Sequence, residues 1–116
     1  MPKAAHFVAA ADTEVLVADQ GTTRTITPRG DLDLSSSPPV SRALAQALTD
    51  GVATVVLDLS QTTFLDSSGV HLVLGAHARA KASQTHLVIV PGPPQVHRTF
   101  ELCGVADQLP FVQQPG

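Results

Sequence analysis

The stretch that decides the fold is LDLSQTTFLDSSGV, residues 57–70. It continues from Val52–Leu57, an apolar run rich in valine that is typical of a strand buried on both faces. It leads into Val70–Lys81, a helical segment with Arg79 and Lys81 in its last turn, where cations suit the helix dipole. A buried strand joined through a short polar loop to a helix is the unit from which parallel sheets are built. The sequence therefore predicts parallel strand pairing here.

The segments before this unit predict an antiparallel hairpin. Glu14–Ala18 has the pattern of a strand, and Thr22–Pro28 alternates and is rich in β-branched residues. Gln20 and Gly21 form a turn signal between them. Pro28 is expected at a sheet edge or at the end of its strand, because proline cannot donate a hydrogen bond to a neighbouring strand.

The first helix is predicted to start at Ser37-Pro38-Pro39 and to end at Asp50-Gly51. Ser37 is expected to cap it, while proline in the first turn loses nothing by lacking an N–H. Apolar residues at positions 40, 43, 44, 47 and 48 form one stripe along this helix.

The last third of the chain predicts another buried strand and a third helix. Thr85–Val90 is the strand, and the loop Pro91–Pro94 opens the helix. Val96, Phe100 and Cys103 share one face of that helix, so Cys103 is expected to be a small residue of the core.

Together these elements predict an α/β fold with the order β-β-β-α-β-α-β-α. The mixed sheet combines an N-terminal antiparallel hairpin with parallel βαβ units, and its helices pack mainly on one side. One domain is expected at residues 13–112, closed by a short strand or turn at residues 109–112. An N-terminal segment, residues 1–12, is expected to hold a short first strand at Phe7–Ala10, and residues 113–116 form a C-terminal tail.

The composition excludes several classes of function. The chain has 116 residues, a formal net charge of −3 and aromatic residues at 3%, so it lacks the basic face and stacking platforms of nucleic-acid-binding proteins. No apolar run is long enough for a membrane span, and the N-terminus makes a poor secretion signal. A single cysteine fits a reducing compartment. We therefore expect a cytoplasmic protein without membrane insertion, and the sequence leaves the oligomeric state open.

Ser67 and Ser68 are the candidate functional residues, because they lie at the predicted start of the second helix. The free N–H groups and the dipole of a helix N-terminus favour negative charge, so a phosphate on either hydroxyl is expected to find donors there. Gly69 allows a close approach of the backbone. The spacing alone also fits plain N-capping serines, which is the commoner role of serine at such a position.

The sequence resembles the STAS domain, as found in the anti-sigma factor antagonists of bacterial serine-phosphorylation switches. Two blocks, Val56–Ser60 and Phe64–Val70, carry most of the resemblance. Gly30–Asp33, before the first helix, and Val96–Phe100 add looser support. The resemblance extends over residues 13–112.

This resemblance implies a small cytoplasmic protein, not an enzyme, that binds an anti-sigma factor which is also its serine kinase. The unphosphorylated form binds and so releases the sigma factor. Phosphorylation of the serine before the glycine, here Ser68 with Ser67 as the alternative, blocks binding, and a PP2C-type phosphatase restores it. The implied partner surface consists of Asp31, Asp33, Asp66, Ser67, Ser68, Gly69, Val70 and His71.

The chain departs from the commonest family pattern after the glycine, where Gly-Leu-Gly is replaced by Gly69-Val70-His71. The ionisable side chain of His71 lies within i+3 reach of Ser68 on the predicted helix. We expect this change to affect the choice of partner more than the fold. An ordinary surface histidine is the simpler interpretation.

Enzyme and metal interpretations are poorly supported. Leu65–Gly69 lacks the first glycine of a nucleophile elbow, and His71 follows Ser68 too closely on one helix to act as its base. The five histidines show no i, i+4 pair and no accompanying cysteine cluster, so no metal or other cofactor is predicted. A stressosome-like scaffold or a soluble subunit of a lipid or anion transport system remains an alternative, since either would use the same surface without phosphorylation.

Overall fold

The computed structural model describes residues 4–10 and 13–112, so the predicted tail at residues 113–116 lies outside the described residues, as do residues 1–3 and 11–12. The strands are β1 (Ala4–Ala10), β2 (Thr13–Gln20), β3 (Thr23–Leu32), β4 (Thr54–Asp58), β5 (Thr62–Leu65) and β6 (His86–Val90). The helices are α1 (Ser37–Thr49), α2 (Ser67–Ala82) and α3 (Pro94–Leu102), and a short 3-10 turn follows at Ala106–Gln108.

The strands form one mixed sheet in the order β1-β2-β3-β4-β6, with β5 paired to the far end of β3. The pairs β1–β2 and β2–β3 are antiparallel, whereas β3–β4, β4–β6 and β3–β5 are parallel. The predicted α/β fold, an antiparallel hairpin followed by parallel βαβ units, is confirmed. Helices α1 and α2 lie against each other and against this sheet.

Strand β3 is longer than predicted and changes its neighbour along its length. It pairs with β4 up to Ile26 and with β5 from Gly30 onward, where the register shifts. Pro28, expected at an edge or a strand end, therefore lies inside β3. Pro28 lies between the part of β3 that pairs with β4 and the part that pairs with β5. Because β3 has no partner strand on that side at Pro28, the missing N–H costs no hydrogen bond there.

The short strand β5 lies within the segment that joins the predicted buried strand to the second helix, and the sequence pattern does not predict it. Its four residues, Thr-Thr-Phe-Leu, bury only the first and the last. Such a segment shows neither alternation nor a continuous apolar run, which are the patterns that mark a strand. Thr62 Oγ1 donates to the carbonyl of Pro28 (3.4 Å), so β5 is tied to β3 at the point where the strand exchange occurs.

The core lies between the sheet and the helices. One expectation about α3 is wrong. Val96 and Phe100 are buried, as the helical spacing predicts, but Cys103 is exposed. The helix ends at Leu102, so Cys103 is its C-cap residue and no longer follows the buried face. Among the described residues, no helix has both the length and the apolar character needed to cross a membrane.

Candidate partner-binding site

Helix α2 is capped by Asp66 and not by either serine. The Asp66 backbone is extended, and its Oδ1 accepts the N–H groups of Ser68 (2.9 Å) and Gly69 (3.3 Å). Ser67 and Ser68 are the first two residues inside the helix. The interpretation of these serines as plain N-caps is therefore wrong, since a carboxylate one position earlier already satisfies the helix donors.

The hydroxyls of Ser67 and Ser68 make no hydrogen bond with the described residues, which are residues 4–10 and 13–112. Ser67 is exposed and Ser68 is half-buried. The expectation that helix donors would receive a phosphate here also changes, because the carboxylate of Asp66 already occupies the N–H groups of Ser68 and Gly69. A phosphate on Ser68 would meet a negative charge at the helix start.

Gly69 and Val70, which the resemblance places in the partner surface, are both buried. A side-chain carbon at Gly69 would lie 2.8 Å from Leu65 Cγ and 3.0 Å from the backbone oxygen of Leu32. Only glycine permits this close approach of α2 to the sheet. These two residues position the helix and offer almost no exposed surface of their own.

The start of α1 is organised by Asp33 and Ser36. The buried hydroxyl of Ser36 donates to the carbonyl of Asp31 (2.8 Å) and accepts the N–H of Asp33 (2.8 Å). Asp33 Oδ1 accepts hydrogen bonds from the N–H groups of Ser35 and Ser36 and from the hydroxyl of Ser35, and it lies 3.1 Å from the hydroxyl oxygen of Ser36. The hydrogen bond from the Ser35 hydroxyl is the main cause that lowers the pKa of Asp33, followed by those from Ser36.

The predicted capping role of Ser37 is wrong. Helix α1 begins at Ser37, and its N-cap position is Ser36, whose side chain makes no capping bond to the helix. The hydroxyl of Ser37 instead reaches back to the carbonyl of Leu34 (3.4 Å). The preceding turn, closed by bonds from the N–H groups of Ser36 and Ser37 to the carbonyl of Asp33, does the work that a cap would do.

The end of β3 brings the two helix starts together. The N–H of Asp66 donates to the carbonyl of Leu32 (3.4 Å), one residue beyond the carbonyl of Asp31 that holds Ser36. Asp31 itself is exposed, accepts the hydroxyl of Thr63 (2.9 Å) and lies opposite Phe64 of β5 in the strand register. The predicted acidic residues thus lie at the end of the sheet from which both helices begin.

A shallow groove of about 420 Å³ runs between α1 and α2 beside these helix starts. Of the predicted site residues, only Ser68 and His71 line it. The residues that complete its lining were missed from the sequence, and they are Leu34, Ser37, Ser41, Leu72, Gly75 and Arg79. On α2, helical spacing from Ser68 could have found them, because positions 72, 75 and 79 follow it on one helix face. The α1 side arises from tertiary packing.

Leu34 and Phe64 are exposed apolar side chains near this end of the sheet. Leu34 is 76% exposed and Phe64 is 52% exposed. Leu34 lies on the turn before α1 and lines the groove, while Phe64 lies on β5 beside Asp31. Over residues 4–10 and 13–112, no three His, Cys, Asp or Glu side chains come close enough to hold a metal ion.

Comparison with known proteins agrees with this architecture. A family model described as "Mlab, STAS domain" matches residues 15–113. An anti-sigma-B factor antagonist of Listeria monocytogenes is 28% identical over 79 residues, covering 67% of this chain and 68% of the relative. An anti-sigma factor antagonist from Mycobacterium paratuberculosis has the same fold, with a TM-score of 0.80, 23% identity and 92% of each chain covered.

The fold is shared as well with SpoIIAA, an anti-sigma factor antagonist solved in its unphosphorylated form. The TM-score is 0.66 at 21% identity, covering 96% of this chain and 90% of SpoIIAA. The Bacillus SpoIIAA has also been solved in a phosphorylated form. The match of the family model over most of the described residues, on a mixed sheet with this helix order, establishes that the chain belongs to the STAS-domain family.

Proposed function

We propose that the protein is an anti-sigma factor antagonist that binds an anti-sigma factor with serine kinase activity. In this proposal the unphosphorylated protein binds, phosphorylation of Ser68 blocks binding, and a PP2C-type phosphatase reverses the block. Ser67 is the alternative target. The complex forms in the cytoplasm, and its formation frees a sigma factor for transcription. The protein acts through contacts and catalyses no reaction of its own.

The observation that carries the proposal is the hydroxyl of Ser68, which lines the groove and has no hydrogen-bond partner among the described residues. Serines near the start of α1 are committed to hydrogen bonds, whereas this hydroxyl is bound to nothing among the described residues. It lies on the helix face that lines the groove, so a partner seated there would cover it. A modification of this hydroxyl can therefore alter the surface without disturbing the fold.

The effect of a phosphate follows from the charges around Ser68. It adds about −1.5 to −2 charges at neutral pH. Asp66 already accepts the N–H groups of Ser68 and Gly69, so the new charge would lie beside a carboxylate and gain few donors from the helix. A partner closing over this corner would have to desolvate both negative groups. An opposing free energy of about 4 kcal/mol would lower the affinity roughly a thousandfold.

The remaining surface in the proposal comprises Asp31, Asp33, Ser67 and His71. Asp31 and Ser67 are exposed, and so is His71. Asp33 is half-buried and is engaged by Ser35 and Ser36, so its part is to hold the turn that presents Leu34. This division separates residues that a partner could touch from residues that keep the surface in shape.

The direct test is phosphorylation by the purified anti-sigma factor kinase with ATP, followed by mapping of the phosphate by mass spectrometry. We expect phosphate on Ser68, no phosphate in Ser68→Ala, and normal labelling of Ser67→Ala. Phosphate only on Ser67 would move the switch by one residue. Absence of phosphate from both serines would overturn the regulatory part of the proposal.

Binding of the same kinase then tests the block. Ser68→Asp should bind far more weakly than the wild type, and Ser68→Ala should bind normally. Ser60→Asp is the control, because Ser60 is an exposed serine that does not line the groove. If Ser68→Asp binds the kinase as well as the wild type does, the proposed block by phosphorylation is overturned.

A further inference from the structure

Within the described part of the chain, the groove between α1 and α2 is lined by basic and not by acidic side chains, and the proposed phosphorylation switch does not explain this. Among the residues that the structure describes, the ionisable ones that line it are Arg79 and His71, and no carboxylate does. Both side chains are exposed, and Arg79 takes part in none of the ion pairs formed within the described residues. A groove with only basic ionisable groups, on a chain with a formal net charge of −3, is complementary to an acidic partner segment.

The apolar part of the lining lies alongside these basic groups. Leu34 projects at one end with most of its surface exposed, and Leu72 lies half-buried on α2. Ser68 and Arg79 are eleven residues apart on α2, which corresponds to about 16 Å, or three helical turns. This length and this mixture of apolar and basic surface suit an amphipathic helix laid into the groove.

Gly75, within α2, lies in the middle of the groove lining. Glycine inside a helix is less favourable than alanine, so it calls for a reason. At Gly69 the reason is contact with Leu65 and the Leu32 carbonyl, but a side-chain carbon at Gly75 would meet no atom within 4 Å. Packing against the described residues therefore leaves room for a Cβ at this position. What a larger residue would occupy is the open space of the groove itself.

We propose that this groove receives an acidic amphipathic helix of the anti-sigma factor kinase. An apolar side chain of that helix passes over Gly75 and contacts Leu34 and Leu72, while a carboxylate pairs with Arg79. The inference rests on the proposed partner but not on the phosphorylation of Ser68. It assigns Gly75 and Arg79 as the residues that determine which partner segment fits.

The test measures the affinity of the purified, unphosphorylated protein for the anti-sigma factor kinase by calorimetry. Arg79→Glu should weaken binding by about tenfold or more, because it sets like charges against each other. Lys81→Glu is the matched control: it makes the same charge change in the last turn of α2, on a residue outside the groove. Its effect should stay below about twofold, since a surface charge away from the contact contributes little.

A second pair of variants tests the open space. Gly75→Gln should also weaken binding by about tenfold, the loss expected when a contact is blocked. Ala78→Gln places the same side chain on an exposed position of α2 outside the groove and should bind normally. Gly75→Ala should raise the melting temperature by about 4 °C, which shows that position 75 tolerates a side chain.

The outcomes separate this inference from the proposed function. If the kinase binds the wild type and phosphorylates Ser68 but binds Arg79→Glu and Gly75→Gln normally, only the groove inference is overturned. If the kinase neither binds nor phosphorylates the wild type, both are overturned. If the wild type self-associates in light scattering and these two variants are monomers, the occupant is a second copy of the chain and the kinase helix is excluded.

Discussion

The two helix starts at the end of β3 use similar residues in opposite ways. Before α1, Asp33 is followed by serines whose hydroxyls are bound: Ser36 is buried among backbone groups, and Ser35 is bonded to Asp33. Before α2, Asp66 bonds backbone N–H groups, and the hydroxyls of the two serines that follow have no hydrogen-bond partner among the described residues. Serine in the first region holds a turn, while in the second it is available for chemistry.

This difference teaches that a serine at a helix start is best judged by what its hydroxyl binds. An aspartate at the N-cap of α2 performs the capping, which leaves the following serines without a structural task. A hydroxyl without such a task can be modified at little cost to the fold. The predictions that follow test this contrast between the hydrogen-bonded serines before α1 and the serines at the start of α2.

The largest expected effect is at Gly69, where α2 approaches the sheet. Gly69→Ala should lower the free energy of unfolding by about 2–3 kcal/mol, because its new carbon overlaps the Leu65 side chain and the Leu32 carbonyl. Gly75→Ala, in the same helix with open space above it, should raise that free energy by up to about 1 kcal/mol. Chemical denaturation of both variants measures the contrast. Equal shifts of the same sign would show that α2 does not depend on this close approach.

The next effect distinguishes the serines directly. Ser36→Ala should cost about 2 kcal/mol of stability, because it removes a buried hydroxyl and leaves the half-buried N–H of Asp33 and the carbonyl of Asp31 without that partner. Ser67→Ala and Ser68→Ala should each stay within about 0.5 kcal/mol of the wild type, as surface substitutions do. Denaturant titration of the three variants is the measurement. A Ser68→Ala loss as large as that of Ser36→Ala would remove the distinction between the regions.

A smaller effect is expected at the cap itself. Asp66→Ala should destabilise the protein by about 1 kcal/mol, since the N–H groups of Ser68 and Gly69 lose their acceptor. Asp66→Asn keeps a side-chain oxygen and should retain most of the stability. Thermal unfolding of the two variants compares them. Equal losses in both would mean that the charge of Asp66, and not its capping geometry, supports α2.

The smallest effect concerns pH. Hydrogen bonds from Ser35 and then Ser36 lower the pKa of Asp33 below the ordinary value of 3.8, so the ionised form stabilises the fold. That contribution is complete above pH 3.8 and is lost as the pH falls through the lower pKa of the folded state. Asp33→Asn should therefore lose stability less steeply in acid than the wild type does.

A matched control for the acid experiment is Asp50, at the other end of α1. Hydrogen bonds from Arg24 and then Gln46 lower the pKa of this carboxyl as well. Its contribution persists in Asp33→Asn, so the variant should retain part of the acid dependence. Stability profiles of Asp33→Asn and wild type that coincide from neutral pH into acid would contradict the role given to Asp33.

The fold was largely predictable because its main elements carry strong local patterns. The buried runs Val52–Leu57 and Thr85–Val90, with helical stripes between and after them, specify parallel pairing through their order alone. β5 could not be predicted, because its four residues are defined by pairing with β3 and not by their own pattern. Cys103 was misplaced since helical periodicity says which residues share a face but not where the helix stops.

The candidate site was predictable only where the motif itself carries it. The block Asp66–Gly69 locates the start of α2 to within a few residues, but aspartate and serine are comparable N-caps, so the sequence does not say which one caps. The groove depends on how α1 lies beside α2, a tertiary relation that leaves no local signal. Leu34 is also not marked by an apolar pattern: its exposure follows from the turn that hydrogen bonds between Asp33 and Ser36 hold.

The end of β3, where the strand pairs with β5, holds the starts of both helices. Its last residues hold Asp66 through the Leu32 carbonyl and Ser36 through the Asp31 carbonyl, so both groove walls are anchored to one strand. The relative position of the two helix starts is therefore set by one strand and not by two independent loops. A partner that binds α2 would therefore meet the start of α1 at a position that the same strand determines.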